Sequence, residues 1–271
     1  MPLGPDPYAA LHCLVVAVSS PAQEPLVEAA AAPDRAQQRP AHGLRPVTFS
    51  WDPMGFALSS LIVATGRTRV LCSLCVQEGV PRWRQGSGQG WLSAEYRLLP
   101  ASTPERQGRE LMKLSGRTQE IQRLIGRSLR ASLDMAALGE RTLLVDCDVL
   151  QADAGTRTAS ITGAWLALAV GLRRLQEQGL MLENPLRQQV AAVAVGLVDG
   201  RPLLDLDYDE DSRAAVDLNV VMDGQGRLLE IQGTAEGAPF SRHELNAMLD
   251  LAQAGITELQ VQQTAALAAA P

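Results

Sequence analysis

A buried strand between two amphipathic segments is the sequence feature that most constrains the fold. Thr142–Leu150 (TLLVDCDVL) is apolar and short enough to be a buried strand. Apolar residues recur at spacings of three and four from Arg117 to about Leu138, and again from Thr158 to Leu175, which predicts a helix on each side. The result is a helix–strand–helix arrangement with an arginine near the start of each helix.

The rest of the chain reads mainly as hairpins. Leu61–Val63 and Arg69–Val76 flank a turn at Gly66, and later runs pair across Asp199-Gly200 and Asp223–Gly226. These later strands are predicted at Val190–Val198, Pro202–Tyr208, Ala214–Met222 and Arg227–Gln232. Ser241 and Glu244 form a capping box for a helix over Arg242–Ala254 that Gly255 is expected to close.

Length and composition exclude some classes of protein. The chain has 271 residues and no apolar run near the roughly 18 residues that a membrane span needs, so no membrane association is predicted. Four cysteines do not make a disulfide framework in a chain of this length, which favours a reducing compartment, and we expect the cytoplasm. Residues 1–38 are rich in Ala and Pro and are predicted to be a flexible extension.

Charge is distributed unevenly along the chain. Arg67–Arg130 holds eleven Arg and one Lys against five Glu, whereas Asp199–Asp250 holds twelve acidic and four basic residues. Such asymmetry suits a polyanion partner despite the net charge of −6, although long segments also vary in charge by chance. Because nearly all the positive charge is arginine, bidentate phosphate contacts are favoured.

Two helix starts are candidate anion sites. Gly155-Thr156-Arg157 precedes the second helix, where unpaired backbone N–H groups, a close-approaching glycine, a hydroxyl and a guanidinium would all face one anion. Gly116-Arg117-Thr118 repeats the pattern at the first helix. If the two starts converge, they would bind one inorganic phosphate. Either alone would read as an ordinary helix cap beside a surface arginine.

An acidic stretch is the other candidate. Asp residues alternate with Leu206 and Tyr208 from Asp205 to Asp211, which predicts a ladder of carboxylates on one face of an extended segment, with Asp217 following. Such carboxylates suit Mg²⁺, and a solvated acidic loop is the alternative. The three histidines are scattered, so a metal and fixed charges would carry catalysis instead of a histidine base.

Four long motifs resemble the ribonuclease PH family of phosphate-dependent 3′→5′ exoribonucleases. They occur in the family's order and together make the resemblance far more specific than a single fingerprint would. They are Gly86–Pro100 (GSGQGWLSAEYRLLP), Ser115–Trp165 (SGRTQE through TGAW), Leu203–Met222 (LLDLDYDEDSRAAVDLNVVM) and Glu230–Leu245 (EIQGTAEGAPFSRHEL). The resemblance covers residues 39–268, with exoribonuclease subdomains at about 45–178 and 188–255.

The resemblance implies an α/β (α+β) fold like that of ribosomal protein S5, with a βαβα core and mixed sheets packed against helices. It implies a homohexameric ring built as a trimer of dimers. It also implies the reaction, in which inorganic phosphate attacks the last internucleotide bond of an RNA 3′ end and releases a nucleoside 5′-diphosphate. Transfer-RNA precursors with 3′ extensions are the implied substrates, and the reverse reaction adds nucleotides.

The resemblance also implies which residues form the site, motif by motif. Arg117 and the turn Gly155, Thr156 and Arg157 would bind the phosphate, in agreement with the anion sites above. Asp211 and Asp217 would be the catalytic carboxylates and would bind Mg²⁺ or Mn²⁺. Arg106 and Arg109 would contact RNA and neighbouring subunits.

The chain departs from the family pattern at two positions that concern these sites. Ala154 replaces a usual glycine before the phosphate turn, and Ala101 replaces a common arginine after the Leu-Pro pair. Two other functions therefore stay open, a non-catalytic ring subunit that threads RNA and a hydrolytic nuclease. Retention of both arginine turns and both aspartates favours the enzyme.

Overall fold

The computed structural model describes residues 35, 38–111 and 113–271. The extension predicted for residues 1–38 therefore lies outside the described residues except for Arg35 and Gln38. Arg35 contacts the folded domain, since its Nε donates a hydrogen bond to Glu210 Oε1 at 2.6 Å. The domain boundary at residue 38 stays a prediction.

The first sheet has five strands in the order β1-β2-β3-β5-β4, in which β4 and β5 are parallel and the other pairs antiparallel. The strands are β1 Val47–Trp51, β2 Ser59–Thr65, β3 Thr68–Glu78, β4 Trp91–Leu98 and β5 Arg141–Gln151. Its helices are α1 Gly116–Arg130, the one-turn α2 Met135–Leu138, and α3 Thr156–Glu177.

The second sheet has four antiparallel strands in the order β7-β6-β8-β9. The strands are β6 Val190–Val198, β7 Arg201–Leu204, β8 Val216–Asp223 and β9 Leu228–Ala235, with α4 Tyr208–Asp211 after β7 and α5 Arg242–Ala268 at the end. The predicted α/β architecture, with mixed sheets packed against helices, is confirmed.

Helix α3 runs through the centre of the molecule. It is buried on nearly all sides, as expected for a helix that contacts both sheets. Two glycines let the first sheet approach closely, because a Cβ atom on Gly163 would lie 2.6 Å from Val63 and one on Gly171 would lie 2.4 Å from Leu74. Within the described residues, no helix is both long and apolar enough to cross a membrane.

The first predicted helix was too long. It ends at Arg130, eight residues before Leu138, and a separate turn of helix begins at Met135. Asp134 causes the break, since its side chain accepts hydrogen bonds from the N–H groups of Ala136 and Ala137 and so caps a new helix.

The last predicted helix was too short. Gly255 does not end α5, which continues to Ala268. Gly255 is instead a packing position, because a Cβ atom there would lie 2.8 Å from both methyl carbons of Leu204 on β7. The capping box of Ser241 and Glu244 is confirmed.

Candidate active site

The structure brings the two arginine-bearing helix starts to one place. The Ser115 hydroxyl accepts a hydrogen bond from the Thr118 N–H at 3.2 Å and caps α1, which makes Arg117 its second residue. Gly155 caps α3, which makes Arg157 the second residue of that helix. Burial raises the pKa of Asp211, and both guanidinium groups lie close enough to oppose that rise. The two arginines at the starts of α1 and α3 therefore lie near one carboxylate.

The turn from Asp153 to Arg157, here called the Gly155 turn, has an uncommon backbone. Ala154 and Gly155 both have left-handed φ values, 55° and 62°. Such a φ is routine for glycine but unfavourable for alanine. The Thr68 hydroxyl donates to the Ala154 carbonyl at 2.6 Å and so helps to hold the conformation. The departure at Ala154 is therefore accommodated without loss of the turn.

Two side chains outside the predicted set orient Arg157. Its Nη1 donates to Gln232 Oε1 at 2.7 Å and lies 3.5 Å from Glu120 Oε2. The Gln232 amide in turn donates to Glu120 Oε1 at 2.8 Å. Because Glu120 lies on α1 and Gln232 on β9, these contacts hold Arg157 between both halves of the chain.

Tyr96 is a third residue that the sequence did not reveal. It is buried on β4, and its hydroxyl lies 2.8 Å from Thr156 Oγ1 in the Gly155 turn. Burial raises the pKa of Tyr96, which keeps the phenol neutral and able to donate a proton in a hydrogen bond. The alternation of buried and exposed positions along a strand would indicate that Tyr96 faces the protein interior. Nothing in the sequence indicates that its hydroxyl contacts Thr156.

The two predicted carboxylates lie near each other. Asp211 ends α4 and Asp217 is on β8. Burial, together with the charge of Asp211, raises the pKa of Asp217 to about 6. One Asp217 oxygen, Oδ1, is buried and has no hydrogen-bond partner among the described residues, while Oδ2 is 3.4 Å from the Asn219 amide nitrogen. A buried acceptor without a partner is costly unless a cation binds it.

This arrangement fits a divalent cation. No group of three or more His, Cys, Asp or Glu side chains forms a ligand cluster within the described residues. Mg²⁺ does not need one, because it commonly binds through one or two carboxylates and takes its other ligands from water and phosphate. The cation would be held by Asp217 Oδ1 and by the carboxylate of Asp211.

The predicted ladder of carboxylates on an extended segment is wrong. Asp205 is buried against Arg45, with Oδ1 2.6 Å from its Nη2. Asp207 caps α4 in a capping box with Glu210, so the chain turns into a helix directly after β7. The spacing Asp207-x-x-Glu210 was the signal for this turn, and it places Asp211 at the end of α4, near Arg117 and Arg157.

Among the described residues, neither Arg106 nor Arg109 forms a side-chain hydrogen bond or ion pair with the residues of this site. Both are exposed on the loop between β4 and α1. Arg109 is near Asp148 on β5, whose pKa it lowers while burial raises it. Their role in RNA contact stays a prediction.

Known proteins resemble this chain along nearly its full described length. The profile for domain 1 of the 3′ exoribonuclease family matches residues 43–171, and the profile for domain 2 matches residues 188–255. Ribonuclease PH of Prochlorococcus marinus (strain MIT 9313) is 72% identical over 233 residues, 86% of this chain and 96% of the relative. Ribonuclease PH of Acaryochloris marina (strain MBIC 11017) is 61% identical over 83% of this chain and 94% of the relative.

Solved structures share the fold at much lower identity. Rice (Oryza sativa) Rrp46 superposes with a TM-score of 0.70 at 17% identity, covering 86% of this chain and all of that one. A chain of the Archaeoglobus fulgidus exosome with RNA bound to the active site gives 0.71 at 20% identity, covering 84% and 92%. The sequence relatives carry the assignment, and the chain belongs to the ribonuclease PH family of phosphorolytic 3′→5′ exoribonucleases.

Proposed function

We propose that this chain trims the 3′ ends of transfer-RNA precursors at the site between α1, α3, α4 and β8. The observation that carries the proposal is the convergence of Arg117 and Arg157 on Asp211 and Asp217. Cationic groups for an attacking phosphate and carboxylates for a divalent cation thus lie in one site. A hydrolytic nuclease would have no use for the phosphate-binding half.

Inorganic phosphate would bind at the two helix starts. Backbone N–H groups at the N-termini of α1 and α3 and the guanidinium groups of Arg117 and Arg157 would neutralise its charge. The Thr156 hydroxyl, held by Tyr96, adds a donor at the same turn. These contacts orient a phosphate oxygen toward the last internucleotide phosphorus of the RNA.

The reaction exchanges one phosphorus–oxygen bond for another. A phosphate oxygen bonds to the phosphorus while the bond from that phosphorus to the 3′ oxygen of the preceding nucleotide breaks. The products are a nucleoside 5′-diphosphate and an RNA one nucleotide shorter, whose 3′ oxygen takes up a proton. The reverse reaction lengthens the RNA.

Asp211 and Asp217 would act by holding Mg²⁺ or Mn²⁺. The bound cation would offset charge on the scissile phosphate and on the leaving oxygen. Ionised carboxylates are needed for this. Burial raises the pKa of both carboxylates, that of Asp217 to about 6, and the nearby guanidinium groups of Arg117 and Arg157 oppose that rise.

The proposal extends to assembly and RNA contact. We infer a cytoplasmic homohexameric ring in which Arg106 and Arg109 contact RNA from their exposed loop. Size-exclusion chromatography with light scattering measures the assembly directly. A stable monomer at micromolar concentration would contradict the ring.

The test of the activity uses a transfer RNA with extra 3′ nucleotides and Mg²⁺, with and without inorganic phosphate. We expect nucleoside diphosphates only when phosphate is present, identified by chromatography. Monophosphates released without phosphate would indicate a hydrolase. RNA binding without any release would indicate a threading subunit.

A further inference from the structure

A buried network of charged side chains joins the Gly155 turn to the segment that carries Asp211. Arg45 lies at its centre, where Nε and Nη2 donate to the two carboxylate oxygens of Asp205 at 3.0 and 2.6 Å. Nη1 of the same guanidinium donates to the Asp153 carbonyl at 2.5 Å. The side chains of Arg45 and Asp205 are each only 6% exposed. One arginine therefore connects the start of the Gly155 turn to the residue that follows β7.

Asp153 supplies a second connection through its carboxylate. Its Oδ1 accepts a hydrogen bond at 3.3 Å from the N–H of Tyr208, the first residue of α4. Because α4 is a single turn that ends at Asp211, this bond connects Asp153 to the helix that carries Asp211. On its outer side Asp153 pairs with the exposed Arg67, with both oxygen–nitrogen distances at 3.0 Å.

Unfavourable backbone conformations lie at both ends of this network. Ala154 in the Gly155 turn and Asp205 before α4 have φ values of 55° and 54°. A left-handed conformation is unfavourable for a residue with a Cβ atom, less so for Asp than for Ala. Such conformations persist where surrounding contacts determine them. The contacts of Arg45 and Asp153 provide that determination here.

We propose that Asp153 and Arg45 are positioning residues that set the distance between the bound phosphate and the Asp211–Asp217 pair. The inference rests on the proposed function, since phosphorolysis needs the attacking phosphate oxygen in line with the bond from the scissile phosphorus to the leaving 3′ oxygen. Neither residue touches the reacting atoms in this role. A displacement of about 1 Å between such groups can lower a rate by roughly a hundredfold.

The chain offers a closely matched control for Asp153. Asp223 is also buried and accepts hydrogen bonds from the backbone N–H groups of Gln225 and Arg227. Its carboxylate also pairs with the exposed guanidinium of Arg227. Exposed fractions are 8% for the Asp153 side chain and 69% for its partner Arg67, against 1% for Asp223 and 64% for Arg227. Asp223 lies at the opposite end of β8 from Asp217, about 20 Å away.

The experiment compares Asp153→Ala, Asp153→Asn and Asp223→Ala in the full-length protein. Phosphate KM, kcat and RNA KM are measured well below the lowest Tm of the set. We expect Asp153→Ala to raise the phosphate KM by about tenfold and to lower kcat by at least about tenfold. Asp153→Asn keeps an oxygen for the Tyr208 N–H and should recover most of this loss. Asp223→Ala should lower Tm similarly while its kinetic constants stay within about twofold of wild type.

A fourth variant keeps the test decisive if Asp153→Ala does not fold. Asp205→Asn removes the charge that faces Arg45, and asparagine tolerates a left-handed φ. We expect the same rise in phosphate KM, of about tenfold.

Two results would overturn the inference. Kinetic constants for Asp153→Ala that match those of Asp223→Ala would show that Asp153 contributes only to stability. An Asp153→Asn variant as impaired as Asp153→Ala would remove the connection through Tyr208. A wild-type protein that releases no diphosphates would instead show that the proposed function has failed.

Discussion

Asp217 shows how a single residue acquires its chemistry from its surroundings. On a solvated loop its pKa would stay near 3.8, but burial and the neighbouring Asp211 raise it to about 6. Its Oδ1 is buried without a hydrogen-bond partner among the described residues. The charged Asp217 carboxylate therefore destabilises the protein when no cation is bound, and the same carboxylate is well suited to hold a cation.

Asp217→Asn should abolish phosphorolysis and stabilise the metal-free protein. We expect kcat to fall by at least about a hundredfold, because an amide holds a divalent cation poorly. The folded-state pKa of Asp217 is raised, so the cost of its charge is present above pH 6 and disappears as pH falls through 6 toward 4. In EDTA at pH 7.5, the variant should gain roughly 1 to 3 kcal/mol in unfolding free energy, and this gain should shrink by pH 4.5.

Thermal melts across this pH range, alongside turnover assays, measure both effects. Asp223→Asn is a suitable control, since the pKa of Asp223 is lowered rather than raised, chiefly by hydrogen bonds from Arg227 that outweigh the effect of burial. That control should lose stability at pH 7.5. Full activity in Asp217→Asn would refute its assigned role.

Single residues were predictable where the signal is local. Arg117 and Arg157 are recognisable because each occupies the opening turn of a helix, and helix starts can be located from sequence. Tyr96, Glu120 and Gln232 were not predictable from the sequence, because their contacts depend on how β4, α1 and β9 pack together. A contact between residues 75 positions apart, such as Arg157 with Gln232, follows from tertiary packing alone.

At the scale of elements, periodicity located the long helices and several strands better than it located their ends. Strands β2, β3, β5 and β6 lie within a few residues of their predicted positions. Errors arose where a polar side chain competes with the backbone, as at Asp134 between α1 and α2 and at Asp207 before α4. Alternating Asp residues gave the same period as a strand, but the capping box of Asp207 and Glu210 decided the local structure.

Helix α5 gives a prediction at this scale. Alanine at an ordinary helix position is about 1 kcal/mol more stable than glycine. A Cβ atom at position 255 would lie 2.8 Å from two carbons of the buried Leu204, so packing opposes propensity. We expect Gly255→Ala to lower the unfolding free energy by about 1 kcal/mol or more.

Urea denaturation measures this change, and Ala254→Gly measures propensity alone at the neighbouring exposed position of α5. That control should cost about 1 kcal/mol. A stabilised Gly255→Ala variant would show that Leu204 can move aside and that Gly255 is not a packing requirement.

At the scale of the whole molecule, many charged residues of the basic and acidic segments pair within the protein. Several arginines of Arg67–Arg130 are committed to internal pairs, among them Arg67 with Asp153, Arg97 with Glu95 and Arg127 with Glu230. The acidic segment is similarly divided, since Asp205 and Glu210 neutralise Arg45 and Arg35. The charge available to RNA is therefore smaller than the sequence count suggests.

The exposed loop with Arg106 and Arg109 tests how RNA is held. Each arginine that contacts a phosphate of single-stranded RNA contributes about 0.7 to the slope of log affinity against log salt concentration. If both contact RNA, the double variant Arg106→Ala/Arg109→Ala should lower that slope by about 1.4 in each subunit's site and raise the RNA KM at low salt. The phosphate KM should stay within about twofold of wild type, because these residues lie outside the arginine–carboxylate site.

Binding titrations between 50 and 200 mM salt, with Arg213→Ala as a control, provide the measurement. Arg213 is also exposed, but it lies in the acidic half of the chain, where it pairs with Asp199 and its Nε donates to the Asp209 carbonyl at 3.0 Å. Exposed contacts of this kind contribute little to stability, so their removal should leave both the fold and the salt slope unchanged. An unchanged slope in the double variant as well would show that neither Arg106 nor Arg109 contacts an RNA phosphate.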